Sequence, residues 1–567
     1  MRTDASNGQQ CPGGTLNRRR FTQGAVAASG LLGGFLNAPA LLAQDASPDA
    51  TGTAADFLLA APEDGAQSGG TLRVAFNAAT ANYDLFQGGS FPVLCHNYNG
   101  LVRENLMDGL KTIVPDLATA WQVSDDGLTW TFTIRQGVTF HDGAPLTSAD
   151  VVATYERIVS PPEGTAITVR DRFPALSGVE AVDEFTVNFI FSRPQATFLQ
   201  LLTEPGMVVY PQSVLAENGG DLRSLVAPGT GPFVYQEYVE GEFWRYTRND
   251  NYWNPNVPYI DELRIIHLPA WPDRGTAVLT DQADLSWNVG IDTFEEGANR
   301  ADTFMTHRNA AFGAYCVYIN AAVEPFTDPR VRRAMHLVLD REALIQVFRS
   351  QEQINLSRWV PRSNQFATPL EEIQTLPGYR PEKDEDVAEA KRLLEEAGFA
   401  DGIPDVDFLC ASVPGHSELL GPAIQDMLLR NLNIQTTIRT QERTLLSEDM
   451  QTGNFTLVLS TVGSPISDFS PLGNQTLKTG GSGNFTNYSN PEFDQLLEQS
   501  DQELDDEARQ AQIRQIEDLL DQDSPLLMLG YTDQLVMWNK RVKGLALELR
   551  DHWENARVET AWIEQSS

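Results

Sequence analysis

Imidazoles, thiols, carboxylates and hydroxyls carry most enzyme chemistry, and in this chain their spacing offers none of the usual constellations. The seven histidines, His96, His141, His267, His307, His336, His416 and His552, are dispersed, with neither a His-x-x-x-His pair nor the carboxylate spacing of a zinc site. There is no G-x-S-x-G nucleophile elbow and no Gly-Lys pair to end a phosphate-binding loop. The run Gly229-Thr230-Gly231 meets Pro232 and reads as a backbone turn, and His141 in "FHDG" reads as a turn residue rather than a ligand. Acids number 77, so no pair of them stands out as a glycosidase couple. Cys11 aside, Cys95, Cys316 and Cys410 show no CxxC spacing; three buried thiols are expected, with one disulfide left open. No catalytic, cofactor or metal residue is therefore assigned.

A binding protein makes a different demand: a cleft with aromatic walls and a few oriented polar groups. Aromatics near expected strand ends supply the candidates Tyr83, Phe86, Phe91, Tyr98, Trp271, Tyr315 and Tyr318, each of which could equally serve a core.

The elements that must position them are legible in part. From Val114 to Val152, "VPDLATAWQVSDDGLTWTFTIRQGVTFHDGAPLTSADVV" reads as strand, Asp-Gly turn, strand, second Asp-Gly turn and helix. Trp130, Phe132 and Ile134 alternate with Thr131, Thr133 and Arg135, and Thr147 to Asp150 opens the helix as a capping box. Phe185 to Phe191 alternates in the same way. Past Asn320 helices and strands alternate, as in an α/β lobe. Asp328 caps a helix whose apolar face runs Val331, Ala334, Met335, Val338, Ile345 and Phe348. A second spans Val387 to Ala397 and stops at Gly398, and a third covers Ser417–Leu432 before strands Ile434–Arg439 and Phe455–Ser460.

The stretch Val114 to Val152 resembles the hallmark segment of extracellular solute-binding proteins of the peptide/nickel/opine type (solute-binding protein family 5), the receptors of ATP-driven importers. "GTGPFVYQEYVEGEFWRYTRNDNYWNPNVPYIDELRI" (Gly229–Ile265), "PFTDPRVRRAMHLVLDREALI", "NFTNYSNPEFDQLL" and "SPLLMLGYTDQLVMWNKRVKGL" resemble further blocks of that family in the right order, from about Gly69 to the C-terminus. The resemblance implies an α/β, two-lobed periplasmic-binding-protein (Venus-flytrap) fold of three domains. The expected division is first-lobe core at 69–100 and 226–310, a mostly β inserted domain at 101–225, a second lobe at 311–528, and a return to the first lobe at 529–567. It implies a ligand held between lobes that close by hinge motion, and delivery to membrane permease subunits served by separate ATPase subunits. It places Tyr83–Phe91 and Trp271 on the cleft border and Tyr315–Asn320 near the crossover into the second lobe.

The chain also departs from the family. Peptide-binding relatives place an Asp after the strand matching Phe455–Ser460 to pair with the peptide ammonium, but here the loop reads "STVGSPISDFSP", with Val462 where Trp is usual and Pro465 at the inferred Asp position. The carboxylate-binding Arg implied around Ala411–His416 is missing from "CASVPGHSELLG". His416 and Asp468 complete the candidate ligand set, with Asp468 alternatively capping the following turn. The ligand is then a peptide or another small, polar, amino-acid-derived solute such as an opine; a nickel complex is the weaker option. Rival readings are a secreted hydrolase with a composite site and a periplasmic chaperone-like binder.

Composition agrees with an exported protein. Arg18, Arg19 and Phe21 precede a small-residue apolar stretch to Ala43, which reads as a twin-arginine signal (1–43), followed by a disordered leader (44–68). The formal charge is −36, and residues 1–43 hold four Arg and one Asp, leaving −39 on the remainder. That disfavours nucleic acid as a partner. The acidity reads as a solvated surface suited to a saline habitat, with attraction of a cationic ligand as the alternative. A periplasmic monomer is expected.

Overall fold

A computed structural model of the chain describes residues 65–80, 82–105, 112–349, 354–412, 416–545 and 557–565. The export signal and most of the expected leader lie outside them. Its spine is an 11-stranded mixed sheet. One half runs from the strand Leu285–Ser286 through Thr71–Phe76, Glu262–His267 and Phe243–Arg248 to Phe233–Val239. The other runs from Leu457–Gly463 through Ile403–Ala411 to Ile434–Gln441. Two long antiparallel strands, Phe304–Ile319 and Leu526–Asn539, belong to both halves.

These two strands make the crossover between lobes. Their register runs from Phe304↔Asn539 to Ala310↔Asp533, shifts before Ala314↔Tyr531, and shifts again between Tyr315 and Cys316. Below the first shift the partner of Leu526–Asn539 is Leu285–Ser286, and above it Gly313–Ile319 pairs with Leu457–Gly463. An extra residue in a ladder bends and twists the strand, so the irregular pairing falls where the sheet leaves one lobe for the other. Gly530 sits there with φ +148°, and a Cβ on it would stand 2.4 Å from the Asn355 carbonyl oxygen. Only glycine lets the strand Ile354–Asn355 approach so closely.

A second, four-stranded antiparallel sheet orders Ala118–Val123, Thr129–Ile134, Thr186–Phe191 and Leu176–Asp183. Trp130, Phe132 and Ile134 are buried, as their alternation requires, as are Val187, Phe189 and Phe191. The helix Ser148–Val159 packs on this sheet and starts with the expected capping box, in which the Thr147 N–H donates to Asp150 Oδ2 at 2.8 Å. Phe132, Phe189 and Tyr155 share one continuous apolar cluster with Trp244, Leu263 and Ile265 of the large sheet. Shared burial of this kind joins the small sheet and the first lobe in one contiguous core.

In the second lobe the sheet is covered on both faces. Val317 and Ile319 face one apolar cluster and Cys316 and Tyr318 another, the two-residue period of a strand buried on both sides. One sequence expectation needs correction here. The face from Val331 to Phe348 is two helices, Pro329–Val338 and Arg341–Phe348, because Leu339 is extended (ψ 116°) and the Asp340 side chain accepts from the Ala343 N–H at 2.9 Å. The local cap ended one helix and started the next while the apolar spacing stayed nearly in phase. The third helix is Gly421–Leu432, entered through a single wide turn His416–Leu420.

Candidate functional site

A cleft of about 430 Å³ opens where the two lobes meet the crossover strands. Its first-lobe wall is built from Leu85, which opens the short turn Leu85–Gln87, from Gly88, Gly89 and Phe91, and from Arg172 and Glu204. Asp84 sets that turn by accepting from the Phe86 N–H at 3.0 Å. The crossover contributes Ala311, Gly313 and Thr532; the second lobe contributes Thr461 to Pro465, at the carboxyl end of the strand Leu457–Gly463, and Gln475. Carboxyl ends of strands are where open α/β sheets bind ligands, since the strands end there and loops take over. A neighbouring cavity of about 660 Å³ shares Thr168, Thr461, Val462, Gly463 and Gln475 with the first and extends it toward Tyr318 and Phe485.

Arg172 and Glu204 are the two charged residues lining the first cavity, and they pair with each other. Burial pushes the Glu204 carboxyl above its usual range, while the Arg172 guanidinium opposes the shift. Gln195 fixes the backbone at Arg172 by donating to its carbonyl at 2.7 Å. Arg172 Nε is buried and has no hydrogen-bond partner among the described residues. Beyond the cavity the lobes touch directly. The Ser482 N–H donates to Asp171 Oδ2 at 3.1 Å, the Ala196 N–H donates to the Asp501 carbonyl at 2.8 Å, and Arg193 lies 3.4 Å from Glu498.

The sequence candidates divide. Phe91 lines the first cavity and Tyr318 the second, where its hydroxyl lies 3.4 Å from the Thr461 carbonyl. Val462 and Pro465 face the first cavity, so the loop that departs from the family does border the cleft. Tyr83 is half-buried edge-on to Trp244, and Phe86 is fully buried against Tyr155 and Tyr210. Tyr98 is buried, donating its hydroxyl to the Ala227 carbonyl at 3.1 Å. Trp271 opens the helix Trp271–Leu279 and lines none of these cavities. Tyr315 is buried on the crossover strand, 5.0 Å from the Phe348 ring and 5.2 Å from His416.

His416 is itself buried; desolvation, with Arg443 second, brings its imidazole down to about 4, and its Nδ1 has no hydrogen-bond partner among the described residues. Asp468 turns inward. It accepts from Arg509 Nη2 at 2.9 Å and from the Ser470 N–H at 2.8 Å, which is the turn-capping role, and its side chain is 3% exposed. His141 also serves a turn, its Nε2 lying 3.0 Å from the Gly231 carbonyl. In the Gly229–Gly231 run the backbone packs directly on Asn97 and Tyr98, with a Cβ at Gly229 falling 1.7 Å from the Asn97 oxygen. Cys95, Cys316 and Cys410 are buried, and no disulfide joins them among the described residues. Among the described residues no group of three or more His, Cys, Asp or Glu is arranged around a common metal position.

Arg172 and Glu204 escaped the sequence reading. They lie 32 positions apart, in a chain where acids outnumber bases 77 to 41, and nothing in their local pattern marks them as partners.

The double lobe, the paired crossover strands and the cleft between them define a hinged binding protein. The family described as bacterial extracellular solute-binding proteins, family 5 Middle, matches residues 112–484, and the chain belongs to this family. It is 24% identical over 486 residues to the dipeptide-binding protein DppE of Bacillus subtilis, covering 80% of this chain and 86% of the relative. Among solved structures it resembles the periplasmic binding protein DppA of Helicobacter pylori in complex with the peptide STSA, with a TM-score of 0.74 at 21% identity, over 88% of this chain and 99% of that one. It also resembles AgaA of A. tumefaciens R10 in complex with agropinic acid, with a TM-score of 0.73 at 24% identity, over 88% and 99%.

Proposed function

We propose that this chain is the solute-capturing component of an ABC importer, taking a peptide or small polar, amino-acid-derived solute into the cleft between its lobes. The observation that carries the reading is the cleft itself: one cavity walled by both lobes and by the two strands on which they turn. The solute stabilises the closed arrangement by contacting both walls at once, and the closed form is what the permease subunits of the inner membrane receive. The protein acts in the periplasm as a monomer after export through the twin-arginine route, and it releases the solute chemically unchanged. The proteins it resembles support the ligand class, since one carries a bound peptide and another a bound agropinic acid.

The test is mass spectrometry of what co-purifies with the exported protein, followed by thermal denaturation with that compound added back. A cognate solute raises the melting temperature as RT ln(1 + [L]/Kd) and is recovered intact. Steady conversion of the solute by the purified protein overturns the non-catalytic reading.

A further inference from the structure

The overall charge of the chain and the charge of its cleft have opposite leanings. Acids outnumber bases 77 to 41 over the whole sequence. The charged residues lining the two joined cavities, together with a third cavity of about 320 Å³ that shares Arg170 and Asp171 with the second, are Arg170, Arg172, Lys478, Asp171 and Glu204. Bases are the majority there, and both acids are already engaged: Asp171 accepts from the Ser482 N–H and Glu204 from Arg172. Of the pair in the first cavity, Arg172 is the more open, at 19% side-chain exposure against 8% for Glu204. Its guanidinium has more donors than a single carboxylate uses: Glu204 is met through Nη1, while Nε is buried out of a ligand's reach.

We propose that Arg172, which Glu204 pairs with but does not saturate, reads a carboxylate of the solute, so that the ligand is recognised by its acidic end rather than by an ammonium. The proposal rests on the solute-capture reading and deepens it. A carboxylate enclosed between closing lobes needs a charged, hydrogen-bonding partner to offset its desolvation, and the planar guanidinium is the side chain whose donors match it. An ammonium in the same place would meet Arg172 as a like charge, and the acid beside it is already bound. Ser464 and Gln475 on the same cavity carry neutral donors for the remaining carboxylate oxygen. Recognition by Arg172 accommodates the Pro465 loop, where an ammonium partner was expected and none stands.

Peptides and N-carboxyalkyl amino acids share this chemistry, so a titration calorimetry experiment uses both sources. One pool contains di- and tripeptides and the other N-carboxyalkyl amino acids, each as free acids and as the corresponding amides. In the wild type the free acids of at least one pool bind about tenfold or more tighter than the amides. The pool that binds identifies the source of the carboxylate. Arg172→Gln removes that preference, and Glu204→Gln, which frees the guanidinium, keeps or enlarges it. A pair that were only structural would give both variants the same effect.

Should Arg172→Gln fail to fold by circular dichroism, the Glu204→Gln result decides alone: a kept preference supports the proposal and a lost one overturns it. Equal binding of acids and amides by the wild type, or a preference that survives Arg172→Gln, overturns the carboxylate reading while leaving solute capture intact. Absence of binding by either pool overturns the carboxylate reading, and solute capture is then decided by the co-purified compound.

Discussion

Two Arg–carboxylate pairs lie close to the cleft, and they have different work. Arg509–Asp468 is sealed inside the second lobe, where the carboxylate also caps Ser470 and the guanidinium reaches the Ser500 carbonyl and the Ser470 hydroxyl. Arg172–Glu204 lines the cavity and engages only Nη1 of the guanidinium. A pair whose donors and acceptors are spent internally contributes to the fold, whereas a pair with spare donors on a cavity wall can serve a ligand. The comparison predicts that changes to the inward groups register in stability and that changes to the cleft groups register in affinity.

The largest effect is expected from Arg509→Met. It leaves Asp468 buried without its cation and lowers unfolding free energy by about 3–5 kcal/mol in urea denaturation, with affinity below the transition unaltered. Asp468→Asn keeps an oxygen for the Ser470 N–H and costs less, about 2 kcal/mol. A loss of solute affinity in Asp468→Asn without loss of stability breaks the comparison and returns Asp468 to the binding site.

These placements show what the sequence could and could not carry. The strands around Trp130–Ile134 and Val187–Phe191, the capping box at Thr147 and the helix stop at Gly398 were legible because local alternation and local caps decide them. The break at Leu339 was missed because one Asp cap outweighed a run of apolar spacing. The candidate site was the least legible part. Phe91 and Tyr318 reach the cavities, but Phe86, Tyr98 and Tyr315 are as aromatic and as near strand or turn ends, and long-range packing alone decides which way each ring faces. Arg172 and Glu204 meet only because the small sheet brings distant segments together.

An effect between those of Arg509→Met and Asp468→Asn in size is expected from pH. The folded state holds the His416 imidazole at about 4, below the ordinary 6.5 of the unfolded chain. Between these values the unfolded state takes up a proton that the folded state refuses. Stability is therefore lost as pH falls through that window, by up to about 3 kcal/mol for this group. His416→Phe should flatten the fall relative to wild type while leaving affinity at pH 7.5 unchanged. Acidic groups raised by burial, Asp116, Asp501 and Glu517 among them, act with the opposite sign but are common to both proteins and cancel in the difference. Identical pH profiles would sink the assignment of His416 to the interior.

The smallest effect is expected where the lobes touch. Arg193 and Glu498 face each other across the closed gap, at 22% and 46% side-chain exposure. A partly exposed pair is screened by water and salt and contributes a few tenths of a kcal/mol. Its energy is nevertheless spent on one equilibrium only, because it exists when the lobes are together and vanishes when they part. Arg193→Ala should leave the urea midpoint in place and weaken solute binding about twofold at low salt, with the difference fading as salt rises. The neighbouring bond from the Ala196 N–H to the Asp501 carbonyl remains in the variant, so closure itself persists. A tenfold loss of affinity, or a shifted urea midpoint at unchanged affinity, would move Arg193 out of the closing surface and into the ligand site or the core respectively, and would break the division between inward and cleft-facing charge.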